Sequence, residues 1–261
     1  MGVEQYQEAV FLGSHQIGQS FLGDQRAVFN QHPFDTGSAS PIPTNGLVAW
    51  YDASNASSYP GTGTTWTDIS PSTGSGTIVG SPSFNSTTKL FTFAGSQRVD
   101  LTQIFAEGQP TYTYYVVASA GNNGTTQLFG QATEAVNRRA LIIRFSGYFG
   151  FNGYDNDNNS PAGMAVSTNT LKGIALTMDN DAADQSKAVR FFLNGTLITE
   201  GTTFNGPTNL NMGANAKIGA NGGNGENFVG DIGVCIAYNR VISNAEMTQI
   251  NDYYATKYTL V

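Results

Sequence analysis

Residues 228–238 read Phe228-Val229-Gly230-Asp231-Ile232-Gly233-Val234-Cys235-Ile236-Ala237-Tyr238, and the fold is read outward from them. Successive side chains of a strand point to opposite faces. Phe228, Ile232, Val234, Ile236 and Tyr238 are therefore expected on one face, and Asp231, Gly233, Cys235 and Ala237 on the other. A greasy face backed by a mild one suits a sheet packed on a partner sheet. Directly after this strand, Ser243 with Glu246 three residues on forms a capping box, and Met247, Ile250 and Tyr254 repeat at helical spacing. The pattern predicts one helix over 244–257.

Upstream the chain reads as strands and turns. Asn-Gly, the strongest short hairpin signal, occurs seven times, at 45, 123, 152, 194, 205, 221 and 224. The clearest hairpin runs from Ala188 to Leu193, turns at Asn194-Gly195, and returns over Thr196–Thr199. Further strands are expected at Leu47–Tyr51, Leu90–Phe93, Tyr112–Ser119, Leu141–Phe145, Tyr148–Phe151 and Leu171–Met178. Composition agrees: charged residues are 12% against roughly 25% in an ordinary soluble chain, and Gly, Ser, Thr and Asn take their place, which disfavours a helical bundle. Aromatics at 11% supply too much core material for a disordered chain. The expected class is all-β, a sandwich with one C-terminal helix.

The first 45 residues differ. Phe11-Leu12-Gly13-Ser14-His15-Gln16-Ile17 is echoed by Phe21-Leu22-Gly23-Asp24-Gln25-Arg26-Ala27-Val28, which predicts two small hairpins. Residues 33–46, PFDTGSASPIPTNG, read as a linker. Isolated hairpins are marginal in water, so Phe11, Leu12, Phe21, Leu22, Val28 and Phe29 are assigned as an assembly anchor that needs another surface. The domains are thus 1–45, an arm, and 46–261, the sandwich.

Charge excludes several roles. A net charge of −7 with scattered basic residues disfavours nucleic acid. No apolar window spans a membrane, so no membrane insertion is expected. MGVEQYQEAV carries no secretory pattern, and a lone Cys235 points to synthesis in a reducing cytoplasm.

The stretches Gly46-Leu47-Val48-Ala49-Trp50-Tyr51-Asp52-Ala53, Ser58-Tyr59-Pro60-Gly61-Thr62-Gly63, Thr65-Trp66-Thr67-Asp68-Ile69-Ser70 and Phe91-Thr92-Phe93-Ala94-Gly95-Ser96 resemble concanavalin A-like, laminin-G-like domains. The closing run Ile236-Ala237-Tyr238-Asn239-Arg240-Val241-Ile242-Ser243-Asn244-Ala245-Glu246-Met247 resembles the same family's end. The resemblance spans about 46–258 and implies a two-sheet jelly-roll sandwich. The N-terminal repeat is similar to tandem units that open virion proteins of marine and cyanobacterial phages. Together these imply a structural protein of a tailed-phage particle (a decoration, collar or fibre-like component), made in the host cytoplasm and displayed on the virion surface. Its arm would contact other virion proteins and the chain would form a homo-oligomer. The alternative is a carbohydrate-binding module or calcium lectin that meets host or environmental glycans.

Catalysis is not expected. A retaining glycosidase needs two carboxylates about 5–5.5 Å apart, and none of the seven glutamates (4, 8, 107, 134, 200, 226, 246) has Asp or Glu two residues away. His15 and His32 lie in the arm, so neither a triad nor a zinc site is read. No cofactor is expected, with calcium as the one open metal. Its candidates are Asp155 with Asp157 and Asp179 with Asp181, although hydrophilic hairpin turns account for both loops more simply. Trp50 and Trp66 are expected in the core. Tyr148, Phe149, Phe151 and Tyr154 form a weaker candidate for an exposed sugar-binding patch.

Overall fold

In the computed structural model the described residues are 10–12, 15–17, 21–22, 25–26 and 40–261, apart from 73, 107, 122–124, 133–137, 144–148, 153–157, 160–168, 180, 184–187, 201–214 and 222. The chain divides into two units, Met1–Ala39 and Ser40–Val261. In the first, β1 (Val10–Leu12) pairs antiparallel with β2 (His15–Ile17), and β3 (Phe21–Leu22) with β4 (Gln25–Arg26). Leu12 faces His15 and Leu22 faces Gln25, so each repeat is a tight hairpin. The backbones of Phe11, Leu12, Phe21 and Leu22 lie in these strands, whereas Val28, Phe29 and His32 lie outside the described residues.

The second unit begins earlier than the sequence suggests. Ile42 is buried beside Leu47 and Ile242. The Pro43 carbonyl accepts from Tyr238 Oη at 2.9 Å, and the Asn45 carbonyl from Arg240 Nε at 2.8 Å. Residues 40–46 are thus held by side chains from the end of the chain.

Two antiparallel eight-stranded sheets build the unit. The first runs, in spatial order, β6 (Thr65–Thr67), β7 (Ser75–Val79), β10 (Arg98–Leu101), β19 (Asn215–Ile218), β12 (Thr126–Ala132), β13 (Arg138–Ile143), β14 (Phe149–Asn152) and β15 (Asn158–Asn159). The second runs β18 (Thr196–Glu200), β17 (Val189–Leu193), β16 (Lys172–Asp179), β11 (Thr111–Ala120) and β20 (Val229–Tyr238). Beyond β20 the next place is shared. β9 (Leu90–Ala94) pairs with the first half of β20 and carries β8 (Ser83–Asn85), while β5 (Leu47–Asp52) pairs with the second half. At the predicted 194–195 turn, Asn194 and Gly195 both take positive φ, 47° and 75°, as a type I′ hairpin requires.

Strand β11 is buried on both faces. Tyr112, Tyr114, Val116, Ala118 and Ala120 enter the core between the sheets, and Tyr115 and Val117 enter a second core on the far side. Strand β20 does the same, and here the simple alternation fails. Val234, Ile236 and Tyr238 belong to the second core, but Phe228 and Ile232 join Cys235 and Ala237 between the sheets. The cause is a bulge: Val117 faces Val234 and Ala118 faces Ile232, which leaves Gly233 unpaired on β11. A bulge shifts the phase of a strand by one residue, so the greasy face swaps sides at Gly233. The mild residues after the bulge are the ones that face the partner sheet. Cys235, expected as buried filler, is such a residue, and burial pushes its thiol pKa up.

The second core is covered by α1 (Asn244–Ala255). Met247, Ile250 and Tyr254 are fully buried against Tyr115, Val234 and Ile236, at roughly 1.5–3 kcal/mol for each large apolar side chain. Tyr254 stacks on Tyr115 at 5.9 Å and accepts from Trp50 Nε1 at 2.7 Å. Its own hydroxyl donates to the buried Asp52 at 3.3 Å, where Lys257 also lands. Both tryptophans serve packing: Trp66 fills the inter-sheet core and Trp50 flanks the helix. No helix among the described residues is long and apolar enough to cross a membrane.

The capping box at Ser243 and Glu246 forms as predicted. Arg240 Nη1 also donates to Glu246 Oε2 at 3.0 Å. Arg240's hydrogen bonds, with help from Ser243, hold the Glu246 carboxyl at about 2, below its ordinary 4.5. A depressed carboxyl stabilises the fold above its unfolded pKa and loses that contribution as pH falls through the folded value. Glu246→Gln should therefore cost about 1 kcal/mol at neutral pH, with the gap to wild type narrowing from pH 4.5 toward 2. Thermal melts at both extremes check this; an equal gap at both would place the effect elsewhere.

Candidate functional site

With α1 on the outer face of the second sheet, the outer face of the first sheet is the other broad face of the sandwich, exposed at Thr65 and Thr77 and buried at Lys217 and Gly130. Its residues follow from register. Ile78, Val99, Ile218 and Phe129 face one another across β7, β10, β19 and β12 and line the inter-sheet core. The neighbouring row, offset by one residue and so on the opposite face, is Thr65, Thr77, Asp100, Lys217 and Gly130.

This row is polar and held in place. Asp100 accepts from Arg98 Nε at 2.8 Å, Arg98 Nη2 at 3.3 Å and Lys217 Nζ at 2.8 Å. Lys217, only 8% exposed, donates also to Asn224 Oδ1 at 2.7 Å. Burial alone would raise the Asp100 carboxyl, but the Arg98 and Lys217 hydrogen bonds outweigh it and keep the pKa below the ordinary value. Asn224 is presented by a self-bonded loop: its N–H donates to the Asn221 carbonyl, and Asn221 Oδ1 accepts from Gly225 N at 2.8 Å. The exposed hydroxyls of Thr65 and Thr77 extend the row to the sheet edge. Fixed donors and acceptors on a pleated surface suit a neutral, hydroxyl-rich ligand, with little net charge to attract a polyanion.

None of these residues stands out in the sequence, because Asp100 and Lys217 lie 117 residues apart and meet only through the strand order. Arg98-Val99-Asp100 does carry a local polar–apolar–polar signal. The residues singled out earlier fare differently. Asp155, Asp157, Tyr148, Tyr154 and Glu134 lie outside the described residues. Asp179 Oδ1 accepts from Asp181 N at 3.2 Å, the self-bonded turn expected of such a loop. No group of three or more His, Cys, Asp or Glu that could hold a metal ion occurs among the described residues. Phe149 corrects the aromatic-patch expectation: it is fully buried between the sheets, edge-on to Phe191 at 5.5 Å. Its place opposite Ile143 puts it in phase with the inward row.

The fold has many solved relatives. Domain 4 of AbnA, a GH43 extracellular arabinanase from Geobacillus stearothermophilus solved with arabinotriose, matches at TM-score 0.61 and 17% identity, over 80% of this chain and 100% of that one. Trypanosoma rangeli sialidase matches at TM-score 0.60 and 17% identity, over 84% of this chain; the chain spans 34% of the sialidase's length. The binding domain of botulinum neurotoxin DC, solved with rat synaptotagmin II, matches at TM-score 0.58 and 12% identity, over 79% and 51%. At these identities the likeness is one of fold. No curated protein matches in sequence. A family model described as the concanavalin A-like lectin/glucanases superfamily matches residues 93–248, from the end of β9 into α1. With more than half of its length under that model and both sheets and the helix in place, the chain belongs to the concanavalin A-like lectin/glucanases superfamily.

Proposed function

We propose that the second unit is a non-catalytic carbohydrate-recognising module whose contact surface is the outer face of the first sheet. The observation that carries this reading is the Arg98–Asp100–Lys217–Asn224 network, fixed on the outer face of the sheet that α1 does not pack against. The arabinotriose-bound relative supports the ligand class. A glycan array tests it: wild type should retain neutral oligosaccharides, and Lys217→Met should lose about tenfold in affinity, the worth of one strong hydrogen-bond anchor. Retention of the same glycans by Lys217→Met would move the surface elsewhere, and no retained glycan at all would end the reading.

The paired hairpins of the first unit favour a second, compatible role. Such short hairpins need an outside surface to stay ordered. We therefore infer an anchoring arm over residues 1–39 that docks the module onto a larger assembly of like or unlike chains, with a tailed-phage virion as the assembly proposed. Removing residues 1–39 should leave the melting temperature of the sandwich unchanged and abolish incorporation into particles. Incorporation by the truncated protein would rule out the anchor.

A further inference from the structure

A recess of about 160 Å³ is lined by the polar Tyr51, Asp68 and Thr102, by Gly74, and by the apolar Val48, Ala49 and Ile104. The recess is distinct from the Lys217 face, whose residues do not line it. Tyr51 is 1% exposed, and its hydroxyl makes no hydrogen bond among the described residues. The hydroxyl is therefore available to a group that enters the recess, which Tyr51 lines. Asp68 is 5% exposed. Its Oδ1 is occupied by the N–H groups of Trp50 and Ser70, both at 2.8 Å, while Oδ2 receives only a long contact from Gly74 N at 3.4 Å.

The missing side chain of Gly74 makes the room. A methyl group there would lie 2.8 Å from Thr102 Oγ1, 3.4 Å from Asp68 Oδ2 and 3.6 Å from Tyr51 Oη. The side-chain oxygens of Thr102, Asp68 and Tyr51 therefore gather around Gly74, and all four residues line the recess.

We propose that this recess binds a single sugar ring, with Tyr51 donating to one ligand hydroxyl, Asp68 Oδ2 accepting from a hydroxyl, and Val48, Ala49 and Ile104 packing against its C–H face. This rests on the carbohydrate-binding reading but names a separate site. The chemistry selects the class. An anion would meet the Asp68 carboxylate. A cation would find one carboxylate already half-occupied by backbone N–H groups. A neutral hydroxyl can both donate to Asp68 and accept from Tyr51. Size agrees: the volume equals about five liquid waters, more than a bridging water needs and below the roughly 300 Å³ at which pockets for larger ligands begin.

Protein-observed NMR with the full chain, titrated separately with arabinose, galactose, glucose and N-acetylglucosamine, tests the site. At least one sugar should give saturable shifts at Tyr51, Gly74 and Thr102. Tyr51→Phe should weaken it about tenfold, as expected for one lost hydrogen bond, without lowering the melting temperature, because the deleted hydroxyl had no partner. Gly74→Ala should abolish the shifts, and Lys217→Met should leave them intact. No saturable shift in wild type, or shifts unchanged in both recess variants, overturns the proposal and leaves only ordered water there. If that happens while the array still retains glycans through Lys217, the proposed function stands without this site.

Discussion

Strand β20 is buried on both faces, and one residue without a side chain lets it serve two cores. Gly233 is the extra residue of the bulge opposite Val117 and Ala118. A Cβ there would lie 2.8 Å from the Tyr258 ring and 3.0 Å from Leu90. Its carbonyl accepts from Ala53 N at 2.9 Å, and Tyr258 Oη reaches it at 3.4 Å. Before the bulge, Ile232 faces the partner sheet; after it, Val234, Ile236 and Tyr238 turn to α1. Without that change of phase, the helix would settle on Cys235 and Ala237, too small to fill its side.

The placement of α1 has a functional consequence. The helix closes the outer face of the second sheet through Met247, Ile250 and Tyr254. The polar row proposed as the contact surface lies on the first sheet instead, and its ion pairs hold its side chains in place. The partly exposed Arg98–Asp100 pair adds little stability; its contribution is to hold donors and acceptors still, which limits the ordering cost of binding. The recess at Tyr51 is separate and small, with polar and apolar side chains together in its lining.

Much of this was legible locally. The Asn194-Gly195 hairpin, the Ser243–Glu246 cap and the burial of Trp66 and Cys235 each depend on a few neighbouring residues. The phase change at Gly233 was not, because the close approach that requires glycine there comes from the Tyr258 ring beyond α1. The polar row was hidden for the same kind of reason: β10 and β19 become neighbours only when the sheet forms. Phe149 was only a weak candidate for a surface aromatic, because a short apolar run beside an Asn-Gly turn does not reveal which face is buried.

A double-mutant cycle on thermal or denaturant unfolding tests the central claim directly. Gly233→Val alone should destabilise by about 1–3 kcal/mol through overpacking, and Tyr258→Ala alone should also destabilise. Combined, they should cost at least about 1 kcal/mol less than their sum, since removing the ring makes room for the new side chain. Strict additivity would contradict the account, because it would mean that clearance beneath Tyr258 is not what position 233 supplies.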